Sequence, residues 1–142
     1  MKCNTEWAMG MSEIVNQKDY GKFLNDVLEL DHNIRYVAIF DGKIQAKFRE
    51  GIQGYFKQEE IESSLSEAQK RWEYRKKMSM KIGAPRFAMA QYGKVNRITF
   101  PLGNDAVILV TTELDVYVNK LVDKIIETRH NLESKIFGFA TR

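Results

Sequence analysis

Nine cationic side chains, Lys70, Arg71, Arg75, Lys76, Lys77, Lys81, Arg86, Lys94 and Arg97, fall in one stretch whose only acid is Glu73. The segment carries +8 while the whole chain carries +3, so the remainder sums to −5. Such an asymmetry favours an acidic partner: nucleic acid, an anionic membrane surface or an acidic protein face. Trp72, Tyr74 and Tyr92 are interleaved with the cations and could stack on bases or on cations. The same charges also have a plain structural explanation. Glu59, Glu60 and Glu62 begin the helix on which Lys76, Lys77 and Lys81 lie near the end, so they match its macrodipole on a solvated face.

No other cluster assembles a chemistry. His32 and His130 each follow or close a helical run and suit its C-terminal dipole. Cys3 is the single cysteine, so neither a disulfide within the chain nor a thiolate metal site can form. Ser63, Ser64 and Ser66 lie mid-helix without a base partner, and Gly51-x-x-Gly54 lacks the strand-loop-helix setting and the Lys-Ser/Thr of a phosphate loop. The carboxylates are scattered, Asp41 being explained by a turn and Asp115 by a helix cap. No catalytic, cofactor-binding or metal-ligating residue is therefore expected, and the chain does not read as an enzyme.

Apolar residues make up 44% of the 142 and charged residues 29%, the balance of a globular protein rather than a disordered one. A chain of this length buries about 70% of its unfolded surface. Residues 1–10 lack the apolar core of a signal peptide, Met11-Ser-Glu-Ile resembles a second start, and no apolar run reaches membrane-spanning length. The expectation is a cytoplasmic protein with an N-terminal extension over residues 1–18 and a single α+β domain over 19–142.

The elements that must carry the basic segment begin with a helix capped by Asp19 and running to about Leu30, with Phe23, Leu24, Val27 and Leu28 on one stripe. Two strands follow, joined at Asp41-Gly42, the dipeptide favoured in type I′ hairpin turns. A two-residue loop there sets Ile39 opposite Ile44, Val37 opposite Ala46 and Arg35 opposite Phe48. The first strand is apolar on both faces and so interior, while the second bears Lys43, Lys47 and Arg49 and suits an edge. A long helix runs from Glu59 to about Ile82, burying Ile61, Leu65, Ala68 and Trp72. Glu67 to Arg71 and Glu73 to Lys77 are i,i+4 pairs on it, and Gly83 and Pro85 end it.

Strands over Phe87–Tyr92 and Val95–Leu102 meet at Gly93-Lys94, a pair suited to a type II′ turn, with Phe87 opposite Phe100 and Met89 opposite Ile98. Ala106–Val110 is continuously apolar and so buried on both faces. A last helix starts near Asp115 with Val118, Leu121, Val122, Ile125, Ile126 and Leu132 on one side, and ends in the apolar Ile136–Phe139. The order α-β-β-α-β-β-β-α and the two doubly buried strands predict a five-stranded antiparallel sheet, order 2-1-5-4-3, with helices on both faces.

That element order, the turn Asp41-Gly42-Lys43-Ile44 and the apolar last strand resemble the profilin-like architecture of roadblock/dynein-light-chain and longin domains, over roughly residues 19–130. The resemblance implies a non-enzymatic module that forms homodimers and binds or regulates small GTPases and scaffold complexes. The chain is also similar to uncharacterised archaeal proteins, which implies no function. PAS and GAF sensor domains share the central strand order, and a PAS-like reading would put a small molecule between the sheet and the second helix near Trp72. The strand Phe87-Ala88-Met89-Ala90 lacks the protecting charges of the opposite edge, so it is the expected dimer edge. Three readings stand: a homodimeric module binding a protein partner, a nucleic-acid-associated protein using the basic segment, and a small-molecule sensor.

Overall fold

The computed structural model describes residues 19–137. Its elements are α1 (Gly21–Leu28), β1 (Ile34–Phe40), β2 (Ile44–Phe48), α2 (Gln58–Lys76), a four-residue α3 (Ser79–Ile82), β3 (Ala88–Gln91), β4 (Asn96–Leu102), β5 (Ala106–Thr112) and α4 (Val118–Phe137). The strands form one antiparallel sheet in the order β2-β1-β5-β4-β3, as the apolar patterns require. β1 and β5 are buried along nearly their whole length, so both faces of the sheet have to be covered.

On one face, Phe23, Leu24, Val27 and Leu28 of α1 and Leu121, Val122 and Ile125 of α4 pack on Val37, Ile39, Ile98, Phe100, Ile108 and Val110. On the other, α2 lays Ile61 and Leu65 on Tyr36, Ala38 and Leu109, and Ala68 and Trp72 on Val107. The Trp72 indole is 1% exposed and its Nε1 donates to Thr99 Oγ1 at 3.0 Å. The indole itself therefore occupies the space between α2 and the sheet at this point.

α1 begins with an Asx turn instead of a side-chain cap. Asp19 Oδ1 accepts from Gly21 N at 2.9 Å, one position early, and Tyr20 occupies the cap site. Its far end is closed by Arg49, whose guanidinium donates to the carbonyls of Leu28 (2.5 Å), Asp31 (2.8 Å) and Ile34 (2.7 Å). A cation at a helix C-terminus satisfies orphan carbonyls and opposes the macrodipole's negative end.

The hairpin differs from the sequence expectation by one residue. Phe40 pairs with Ile44, Ala38 with Ala46 and Tyr36 with Phe48, so the loop is Asp41-Gly42-Lys43, closed by Asp41 N donating to Lys43 O at 3.1 Å. Only Gly42 has positive φ, which rules out a type I′ turn. The slip turns Ile44, Ala46 and Phe48 to the α2 face, where Phe48 stacks on Tyr36 with centroids 4.5 Å apart. Gln45 and Lys47 then serve α1: Gln45 Oε1 accepts from Tyr20 N at 3.2 Å and Lys47 Nζ donates to Asn25 Oδ1.

Three other expectations are corrected. The second helix breaks at Lys77 and Met78, where Lys77 N and Met78 N donate three residues back, and a separate turn carries the chain away with Met80 and Ile82 exposed. The Gly93-Lys94 loop has the expected length and the Met89–Ile98 register, but Gly93 lacks the positive φ of a type II′ turn. Asp115 does not cap α4, which starts at Val118; instead its carbonyl accepts from Asn33 Nδ2 at 2.8 Å.

Two measurements test this packing. Trp72→Ala should cost about 3–5 kcal/mol in urea unfolding, the range for emptying a buried aromatic site. Tyr20, buried and donating to Asp41 Oδ2 at 3.1 Å, has its phenol pushed well up by burial first and the Asp41 charge second. An acid raised in the folded state supports the fold fully below its unfolded value near ~10, and that support is lost as pH climbs beyond it. Urea midpoints should therefore fall above about pH 10, and Tyr20→Phe should flatten the decline.

Candidate interaction surface

α2 runs across the sheet so that its first half lies over β4 at Arg97 and its second half reaches the β4–β5 turn. Ser64 Oγ receives Arg97 Nη2 at 2.6 Å, while Gln69 Nε2 donates to Asp105 O at 2.6 Å and Lys76 Nζ to Asn104 O. These ties divide the nine cations. Lys70, Arg71 and Arg75 line a shallow depression with Tyr74 on the second half of α2. Lys77 lies 5.6 Å from the Tyr74 ring, and the Arg75 guanidinium 5.1 Å from the Trp72 ring. Lys81 on α3 and Arg86 before β3 are exposed.

Lys94 and Arg97 belong elsewhere, at the far end of the sheet. Lys94 Nζ lies 5.2 Å from the Tyr55 ring, and Arg97 is half-buried beneath α2. The nine cations therefore form no single strip along which a nucleic-acid backbone would track. Trp72 is also too buried to stack on a base; of the three interleaved aromatics, Tyr74 and Tyr92 are the exposed ones.

The expected i,i+4 pairs on α2 are replaced by i,i+3 pairs. Glu67 meets Lys70 at 3.5 Å and Glu73 meets Lys76 at 3.1 Å. Both pairs are largely exposed, so they add little stability. They leave Arg71 and Lys77 without a carboxylate partner among the described residues, and Arg71 outward on the rim of the depression.

β3 is the outermost strand on the side opposite β2. Phe87 and Met89 are exposed on the α4 side, where the Phe87 ring lies 6.3 Å from that of Phe100. On the other side Ala88 is half-buried against Ala68, Trp72 and Val107, and Ala90 is exposed. The small side chains thus let α2 of the same chain come down close to the edge. Exposed Met78, Met80 and Ile82 on the turn leading into β3 add apolar surface there.

Among the described residues no three His, Cys, Asp or Glu side chains gather into a metal site, and no helix is long and apolar enough to cross a membrane.

The sheet order and its two helical layers define a roadblock-like, longin-type fold, and solved structures of that class superpose on the chain. The roadblock/LC7 domain from Streptomyces avermitilis aligns with TM-score 0.66 at 7% identity, covering 84% of this chain and 99% of that one. MglB from Myxococcus xanthus aligns with TM-score 0.64 at 13% identity over 85% and 98%, and the gliding protein MglB from Thermus thermophilus with 0.62 at 12% over 81% and 88%. At these identities the likeness is one of fold. The chain itself belongs to DUF6659, a family of unknown function whose model matches residues 11–140. No curated protein matches the sequence.

The division of the cations has a measurable consequence. Lys70→Glu and Arg71→Glu should shift unfolding free energy by no more than about 0.5 kcal/mol, as exposed substitutions do. Arg97→Glu should cost about 1–3 kcal/mol, because it breaks a half-buried charged hydrogen bond and puts a carboxylate in its place.

Proposed function

We propose that this chain is a cytoplasmic, non-enzymatic interaction module that works as a homodimer paired through β3 and binds a protein partner through the basic face of α2. The observation that carries the reading is the β3 edge. A free edge strand presents a row of backbone donors and acceptors, and proteins normally guard it with charge. β2 carries Lys47 and is flanked by Lys43, whereas Ala88-Met89-Ala90-Gln91 carries no charge. Beside it lie exposed Phe87, Met89, Met80 and Ile82, the last two 94% and 79% exposed.

A two-fold axis at this edge would pair β3 with its copy and join two sheets into one, an isologous contact in which each copy uses the same residues. The neighbouring α2 face, with Lys70, Arg71, Arg75 and Lys77, then offers cations to an acidic surface on the partner. The roadblock resemblance suggests a small GTPase as the first partner class to try, and a structural neighbour is described as MglB with tetrameric arrangement, so assembly is at home on this fold.

Size-exclusion chromatography with light scattering tests the dimer. The wild type should run as a dimer and Met89→Lys, which puts a charge on the edge, as a monomer with an unchanged circular dichroism spectrum. Lys47→Ala on the opposite edge should leave the dimer intact. A wild type that stays monomeric at high micromolar concentration refutes the proposal.

A further inference from the structure

On the α2 side, one row of side chains crosses the whole sheet in register: Phe48, Tyr36, Thr111, Arg97 and Ala90. Over the middle of this row the roof is the loop that leads into α2, with Tyr55 at its centre. Gly54 lets that loop lie down on Phe48, since a Cβ at this position would meet the Phe48 ring at 3.0 Å. A cavity of about 20 Å³ remains beneath it, lined by Arg35, Tyr36, Tyr55, Arg97 and Thr111 among others.

Alternation along β1 would send Arg35 to the other face of the sheet from Tyr36. The register of β1 against β5 shifts between Ile34 and Tyr36, and both Arg35 and Tyr36 line the same cavity. Bulges commonly re-aim a side chain in this way beside a functional site. Arg35, 7% exposed, donates to Glu113 Oε2 at 2.8 Å and to Gln53 O at 3.1 Å, and its guanidinium lies 4.8 Å from the Tyr55 ring. Lys94 approaches the same ring at 5.2 Å.

The charges here do not balance. Arg35 is paired with the Glu113 carboxylate, whereas Arg97 has the neutral Ser64 hydroxyl as its hydrogen-bond partner among the described residues. Thr111 is 5% exposed, and its Oγ1 stands beside the Tyr36 phenol without completing a well-formed hydrogen bond. Burial pushes the Tyr36 phenol up, with the Thr111 hydroxyl and the Arg97 and Arg35 charges offsetting part of the rise, so at neutral pH it remains an O–H donor. A guanidinium and two hydroxyls thus border a small space, and each can give a hydrogen bond to whatever fills it.

We propose that this cavity is a binding site for a monatomic anion of the chloride class, held by Arg97, Thr111 and Tyr36 under the Tyr55 loop. The volume decides the class. A cavity of about 20 Å³ has room for one water and suits a single ion better than a sulfate or phosphate. The uncompensated positive charge favours the ion over the water. Occupancy would neutralise the pair of arginines and fix the loop that starts α2.

Bromide is the probe, because it replaces chloride and scatters anomalously. Crystals of the full chain soaked in sodium bromide should show an anomalous peak between Arg97 and Thr111, absent in Thr111→Val and in Arg97→Gln. In solution, the chlorine NMR line width should show excess broadening with the wild type that Thr111→Val abolishes. Thr111→Val keeps the side-chain shape and removes only the hydroxyl, so the fold should survive, with an unchanged circular dichroism spectrum as the check. Water in the cavity of bromide-soaked crystals, or a peak retained in Thr111→Val, overturns the proposal. So does a crystal peak without excess line width in solution, which would mark an adventitious ion only.

Discussion

Two adjacent strands without a hydrophilic face govern this structure. β1 and β5 pair along their length and are buried above and below, so neither can lie at an edge and neither can present a face to water. Helices must therefore cover both sides, and the more polar strands are pushed outward. β4 mediates, with alternate residues buried, and β2 and β3 take the rims. The assignment of layers follows from the same fact. α1 and α4 supply the larger apolar area and share one face, while α2, polar over most of its circumference, contributes one stripe of four buried residues to the other.

The two rims are unequal because their neighbours are unequal. β2 is braced by α1 through Gln45, Lys47 and the Arg49 clamp, so its polar side chains are already engaged by the chain's own backbone and side chains. β3 is short, and its contacts to the rest of the molecule run through β4 and through Ala88 beneath α2. The broken second helix compounds the contrast. A continuous helix to Ile82 would have carried Met80 and Ile82 along the line of α2; the break at Lys77–Met78 redirects the chain toward β3 and leaves apolar side chains in solvent there.

Strand order was legible in the sequence because it depends on composition averaged over several residues: Tyr36–Phe40 and Ala106–Val110 are apolar at every second position and at the positions between. The same property hid the hairpin register. With both faces of β1 apolar, Ile44, Ala46 and Phe48 could match either, and the choice fell to contacts far from the turn, the Tyr36–Phe48 stack and the cover supplied by Ile61 and Leu65. The basic segment was legible as a run of charge but not as a surface. Whether a cation is free depends on tertiary neighbours such as Ser64 for Arg97 and the Asn104 carbonyl for Lys76. The aim of Arg35 left no trace at all, since a bulge is a property of the paired strands and not of either one.

The central pairing also sets the order in which the chain can fold. Val37 meets Val110, so the earliest strand of this sheet joins its latest, and the core closes only when β5 has arrived. Until then β1 has at most one face covered, by α1, and is exposed on its other face and along one side. Such non-local closure slows folding and lengthens the time during which that strand can find the wrong partner. During synthesis on the ribosome, β1 is therefore the segment most in need of shelter, and α1, which precedes it and packs on it, is the element in position to give it.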